Sequence, residues 1–167
     1  MKRFLFDLCL FFFVAASWEV GAWDKIDYQR LMATKKCVKC DLTAAYLSGA
    51  DLSEANLFYT NLSAADLTET NLSGADLAEA NLSGASLVST YLSGASLVST
   101  NLSGADLSGA DLTEAYLFYT NLSGANLSGA DLNEVNLSAA DLAGANLTET
   151  KFCETKMPNG TMDNSGC

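Results

Sequence analysis

The sequence predicts an all-β fold, a single solenoid wound in square coils, and three observations carry that expectation. Leucine occupies every fifth position from Leu42 to Leu147, 22 times without exception. The residue two before each leucine is always small: 15 Ala, 5 Thr, Val135 and Cys40. The residue just before it is nearly always polar, with 9 Asn, 8 Asp, 3 Tyr and 2 Ser. Writing the leucine as position i, positions i+1 and i+2 are mostly Ser, Thr, Gly, Ala or Glu.

Neither regular element carries this pattern alone. On an α-helix five residues advance about 500°, so successive leucines step roughly 140° around the axis and never form a face. On a continuous strand an odd spacing sends alternate leucines to opposite sides. The local order from i−2 to i, small-in, polar-out, leucine-in, does suit a three-residue strand with one buried side. A corner of about 90° at i+1 and i+2 then closes a square in about 20 residues, and the next square stacks on it at ~4.8 Å. Four leucines per coil fill the middle, which is why i−2 must stay small. Residues 40–149 hold 22 such units, about 5.5 coils and a rod about 26 Å long. Each buried leucine contributes roughly 1.5–3 kcal/mol before entropy is subtracted.

The segments around the repeat read in chain order. Residues 1–22 start with Lys2 and Arg3, continue as an apolar run from Phe4 to Ala16 broken once by Asp7, and offer a V-x-A cleavage site at Val20 and Ala22. This is the layout of a secretory signal peptide, with Ala16 or Ser17 as alternative cut sites. A membrane anchor is the rival reading, but the run is well short of the roughly 20 apolar residues a span needs. A buried core helix is a third. Residues 23–39 form an N-terminal cap: Asp24 as helix N-cap, Lys35 and Lys36 in the last turn, and Tyr28, Leu31 and Met32 over the first coil. The solenoid is placed at 40–154, with Phe152 taking a leucine position and Lys151 breaking the polar pattern. Residues 155–167 form the C-terminal cap, with a Pro158-Asn159-Gly160 turn and two methionines covering the last coil. Open ends would invite end-to-end polymerisation, so both caps are needed.

Removing 1–22 leaves Cys37, Cys40, Cys153 and Cys167, and in an oxidising compartment four thiols suggest two disulfides with three possible pairings. Cys37–Cys40 and Cys153–Cys167 are the favoured pairs, because each lies at one end of the repeat.

The run A-[D/N]-L-x-x, as in Ala50-Asp51-Leu52-Ser53-Glu54 and Ala75-Asp76-Leu77-Ala78-Glu79, resembles the pentapeptide-repeat family. The resemblance implies a right-handed quadrilateral β-helix. The leader, the K-K-C-x-x-C entry at Lys35 to Cys40 and the M-P-N-G exit at Met157 to Gly160 resemble exported cyanobacterial members. For these, periplasm or thylakoid lumen is the implied compartment, and an activity is generally not known. Another branch of the family mimics duplex DNA and acts on DNA gyrase in the cytoplasm.

The chain has 20 acidic and 9 basic side chains, a net charge of −11 and no histidine. That composition excludes a phosphate-backbone binder, imidazole catalysis and His-ligated zinc. No phosphate loop, nucleophile elbow or calcium loop is present, so no catalytic, cofactor or metal residue is assigned and an enzyme is not expected. Cys37-x-x-Cys40 faces inward, where thiols are inert, and is read as structural. The N-L-S triplets are generated by the repeat and carry no weight as glycosylation sites.

Two features bear on partners. Fourteen carboxylates and no base lie between Lys39 and Lys151. Asp51, Asp111 and Asp131 are expected in one column beside Glu54, Glu114 and Glu134, an arrangement a DNA mimic would use and solubility alone would also produce. Phe58, Val98 and Phe118 are expected in another column, with Tyr59 and Tyr119 beside it. Such stacked aromatics suggest a surface for a protein partner or a homodimer, although EANLFYTNLS and EAYLFYTNLS are also nearly duplicate blocks. The expected function is a non-enzymatic, exported structural or protein-binding module. A gyrase modulator is the alternative.

Overall fold

The structure, a computed structural model, describes residues 23–167; the leader expected over 1–22 lies outside them. From Lys36 to Lys156 the i−1 residues are joined by parallel bridges to the residue 20 positions further on. The chain therefore has four faces. Face I carries Lys36, Asn56, Asp76, Ser96, Tyr116, Asn136 and Lys156, and face II runs from Asp41 to Asp141. Face III runs from Tyr46 to Asn146 and face IV from Asp51 to Lys151. The ladder reaches beyond both ends of the sequence-drawn solenoid. It rises about 29 Å between Lys36 and Lys156 at ordinary strand spacing.

The side of a square is shorter than the expected three-residue strand. In the unit around Leu82, Asn81 N–H donates back to Thr60 O at 2.9 Å and Leu82 N–H donates forward to Asn101 O at 2.7 Å. Gly84 N–H adds a forward bond to Ser103 O at 2.9 Å, and Ala85 N–H closes the corner on Leu82 O at 3.1 Å. With a turn every five residues, only the i−1 residue is bridged on both sides.

Each corner has positive φ at i+2, from Lys39 to Glu154, between 53° and 73°. This is the pattern of a type II turn, whose second central residue is left-handed. Many of these positions are not glycine: Glu54, Tyr59, Ser89 and Tyr119 all sit there.

The interior is filled as the repeat demands. Leu42 to Leu137 in the i register are at most 2% exposed. Threonines at i−2 are buried, and their hydroxyls donate to carbonyls of the preceding coil, Thr60 to that of Cys37 and the rest to leucine carbonyls, as in Thr70 to Leu47 O at 2.8 Å and Thr120 to Leu97 O at 2.7 Å. A polar atom in the core is thereby satisfied.

At the N-terminal end α1 (Lys25–Thr34) lies over the first coil. Asp24 caps it by accepting from Ile26 N at 2.7 Å and Asp27 N at 3.1 Å. Two further bonds pin it to the open edge of face II, Asp24 N–H to Asp41 O and Asp41 N–H to Asp27 Oδ2, both at 2.9 Å. Leu31 is fully buried and Tyr28 half-buried against Trp23. Met32, expected over the coil, is exposed instead, because it stands about 100° round the helix from Leu31. The helix also stops before its expected basic end: Lys35 is left-handed, with its N–H on Leu31 O, so Lys35 and Lys36 lie outside the last turn.

At the other end β1 (Thr155–Lys156) pairs antiparallel with β2 (Met162–Asp163) through a turn over Met157 to Gly160. Phe152 is buried in the leucine register. Met157 packs on the core, but Met162 is exposed, contrary to expectation. Its cross-strand partner is Lys156, and partners in a ladder share a face; Thr155 and Asp163 take the inward one. Gly166 donates to Phe152 O at 2.7 Å, and a Cβ there would fall 2.8 Å from Phe152 N, so only glycine fits. Leu142, Ala145 and Leu147 of the last coil are only partly buried.

Leu97→Ala should therefore lower unfolding free energy by about 2–5 kcal/mol, while Leu142→Ala should cost clearly less. Paired denaturant titrations check the difference, and equal losses would contradict the burial pattern.

Candidate functional site

Four of the five repeat positions serve the architecture, and this decides where a site can be. Positions i−2 and i fill the core, and i+2 must accept a left-handed backbone. All 17 Asn and Asp residues at i−1 accept the N–H two residues on, at 2.9–3.2 Å. This Asx bond anchors each corner. Position i+1 alone is left unconstrained.

On three faces the i+1 columns are small and mostly hydroxylated, for instance Ser63, Ser83, Ser103 and Ser123 on face II. On face I the column reads Val38, Phe58, Ala78, Val98, Phe118 and then Ser138. Ladder bonds stack it coil upon coil: Lys39 N–H to Phe58 O, Tyr59 N–H to Ala78 O, Glu79 N–H to Val98 O and Ser99 N–H to Phe118 O. The result is an apolar ridge along the corner between faces I and II, about 19 Å from Val38 to Phe118. Tyr59 and Tyr119 flank it, 54% and 58% exposed, and Tyr116 stands exposed on face I at the level of Phe118. The Phe118 and Tyr119 rings lie 4.1 Å apart, those of Phe58 and Tyr59 6.0 Å, and Lys39 Nζ sits 5.5 Å over the Tyr59 ring. Phe58, Val98 and Phe118 thus share one column with Tyr59 and Tyr119 beside it. Val38, Ala78 and Tyr116 were missed in the sequence, although stepping by 20 residues from Phe58 reaches both column members.

The acidic column is real but broken. Face IV reads Asp51, Asn71, Tyr91, Asp111, Asp131, Lys151. Lys35 Nζ pairs with Asp51 Oδ2 at 3.2 Å, and Lys151 Nζ with Asp131 Oδ2 at 3.6 Å. Seven carboxylates lie on this face, namely Asp51, Glu54, Asp111, Glu114, Asp131, Glu134 and Glu154, against only Asp76 and Glu79 on face I. Hydrogen bonds from Ser53, then Lys35, hold the Asp51 carboxyl down at about 2. Asp163 is likewise held below its ordinary value by bonds from Ser165.

Cys37 is joined to Cys40 with Cα atoms 5.3 Å apart, and Cys153 to Cys167 at 4.9 Å. Asp27, Cys37 and Cys40 bring possible ligand atoms within 4.8 Å of one another, but the two sulfurs are bonded together and offer no thiolate. Among the described residues no helix is long and apolar enough to cross a membrane.

The family model for pentapeptide repeats matches in eight copies over residues 36–74, 75–114 and 120–159. The chain belongs to the pentapeptide-repeat family. Among solved structures, the pentapeptide-repeat protein Rfr23 from the cyanobacterium Cyanothece 51142 is 31% identical, with 75% of this chain and 96% of that one covered and a TM-score of 0.53. A pentapeptide-repeat protein from the Arabidopsis thaliana thylakoid lumen is 35% identical over 64% of this chain and 63% of its own, at a TM-score of 0.19. HetL from Nostoc sp. strain PCC 7120, described as involved in heterocyst differentiation regulation, is 31% identical over 77% and 76%, at 0.35. With scores under 0.5, the last two likenesses bear on neither compartment nor partner. No curated protein matches the chain in sequence.

Two predictions follow from this pentapeptide-repeat surface. The Asp51 contribution is complete above the ordinary carboxylate range and is lost as pH falls from about 4 towards 2. Asp51→Asn should flatten denaturant midpoint against pH in that window; an unchanged slope refutes the pairing. Tyr119 pays for its left-handed backbone with about 1–2 kcal/mol, and glycine returns roughly 0.5–1 kcal/mol of that as chain entropy. Tyr119→Gly should hold or raise the melting temperature, and a marked fall would show that the ring supports the fold.

Proposed function

We propose that this pentapeptide-repeat protein is a non-enzymatic, exported protein-binding module that docks through the face I ridge. One observation carries the reading: of the four i+1 columns, where the architecture makes no demand, only this one is apolar at five successive levels, from Val38 to Phe118, before it ends in Ser138. Left-handed Tyr59 and Tyr119 support it. Bulky side chains are costly in that conformation and cluster where strain serves function. Export rests on the leader in the sequence and on a disulfide at each end of the rod, which suits an oxidising compartment such as periplasm or thylakoid lumen. The gyrase alternative needs a continuous anionic stripe. Asn71, Tyr91 and the two end lysines interrupt the column that would supply it, so this reading is the weaker.

Intact-mass measurement on the protein from its native host should find a chain starting near Trp23 and lighter by two disulfides. A photo-crosslinking residue at position 118 should give one discrete protein adduct there, and the same residue at Ser103 none. Full-length mass, or equal labelling from both positions, overturns the reading. Cys153→Ser should lower stability by about 3 kcal/mol, the loop entropy of a closure near 15 residues; an unchanged melting temperature would make that bond dispensable.

A further inference from the structure

We infer that the occupant of the ridge is a second copy of this chain, packed side by side and antiparallel, and this rests on the binding role proposed above. The two-fold axis lies across the rods at the level midway between Ala78 and Val98.

The ridge from Phe58 to Phe118 is self-complementary under that operation, and Val38 falls opposite the partner's Ser138. Phe58 and Phe118 are three coils apart in one column, about 14 Å, with Ala78 and Val98 between them. Turning a copy end over end places Phe58 against the partner's Phe118, Ala78 against the partner's Val98, and Tyr59 against the partner's Tyr119. An isologous contact needs this kind of pattern, one patch that meets itself. Asn56 meets the partner's Tyr116, an amide facing a phenol. The large-small-small-large order puts rings at both ends and leaves the middle flat enough for close approach.

Charge selects both the corner and the direction. A rod carrying −11 repels its own copy over most of its surface. Face IV holds seven carboxylates, whereas face I holds two, offset by Lys36 and Lys39 at one end and Lys156 at the other. On face I and along the ridge the antiparallel arrangement opposes no like charges: Glu79 faces Ser99, Asp76 faces Ser96, Lys39 faces Ala139 and Lys36 faces Asn136, while on face II only Asp41 and the partner's Asp141, at the two ends, face a like charge. A parallel pair would set Glu79 against Glu79 and Lys39 against Lys39, and directly opposed like charges are destabilising.

Sedimentation of the full chain, produced through export with both disulfides formed, tests the inference with a charge-swap mixture. Wild type should sediment at twice the chain mass at micromolar concentration. Phe58→Asp alone and Phe118→Lys alone should each halve that mass, while circular dichroism and melting temperature stay near wild type, since both rings lie outside the core. Mixed together, the two variants should return to dimer mass, because the antiparallel contact then pairs Asp with Lys at one end and Phe with Phe at the other. A wild-type monomer overturns the second copy as occupant but leaves the binding role to the crosslinking result above. A dimer that survives both substitutions places the contact elsewhere and also overturns it. Variants that stay monomeric when mixed overturn the antiparallel register.

Discussion

A corner every five residues is the constraint on which everything else in this rod depends. It leaves one residue per side bridged to both neighbouring coils, so the backbone ladder consists of isolated bridges in place of strands. It also imposes a left-handed residue at each corner and brings four leucines to the middle of every coil. The interior is then too narrow for anything larger than Ala or Thr at i−2, with Val135 the largest residue admitted there. Stability is spread along the rod, each unit depending on its nearest neighbours.

Much of this was legible because the core is written in a period that no helix or strand can use. Leucines at fives with small residues two before them force a square, and a step of 20 follows. The two ends were less legible, because they lack the repeat. Tyr28, Leu31 and Met32 all read as cover for the first coil, but a helix presents a single stripe, and Met32 falls outside it. Met162 read as cover for the last coil, yet pairing with Lys156 turns it to solvent. The left-handed corners were hidden for a different reason. Glu, Tyr and Ser occupy many of them, and these residues do not advertise positive φ as glycine does.

For the surface, the aromatic pairs at Phe58-Tyr59 and Phe118-Tyr119 were visible from their spacing. The continuity of the ridge was not, since Val38 and Ala78 are unremarkable until the ladder stacks them with their neighbours. The acids were open to two readings in the sequence. A run of 14 carboxylates without a base would serve a DNA mimic, and solubility alone would also produce it. In the structure each Asp at i−1 shares with Asn the task of accepting a corner N–H, and the Lys35 and Lys151 ammonium groups end the longest column.

The same reasoning says where selection for a partner can be written on such a rod. A change at i or i−2 opens or overfills the core, a change at i−1 removes an Asx bond, and a bulky change at i+2 strains the backbone. Only i+1 varies without structural penalty, so a departure there from Ser or Thr is the least constrained record of function. Face I departs at five successive levels, from Val38 to Phe118, whereas on face III Val88 stands alone among Ser48, Thr68, Ser108 and Ser128. A single apolar residue in a polar column is ordinary surface. Five in register are a contiguous stripe, and the strained tyrosines beside them lie where the architecture gains nothing from an aromatic ring.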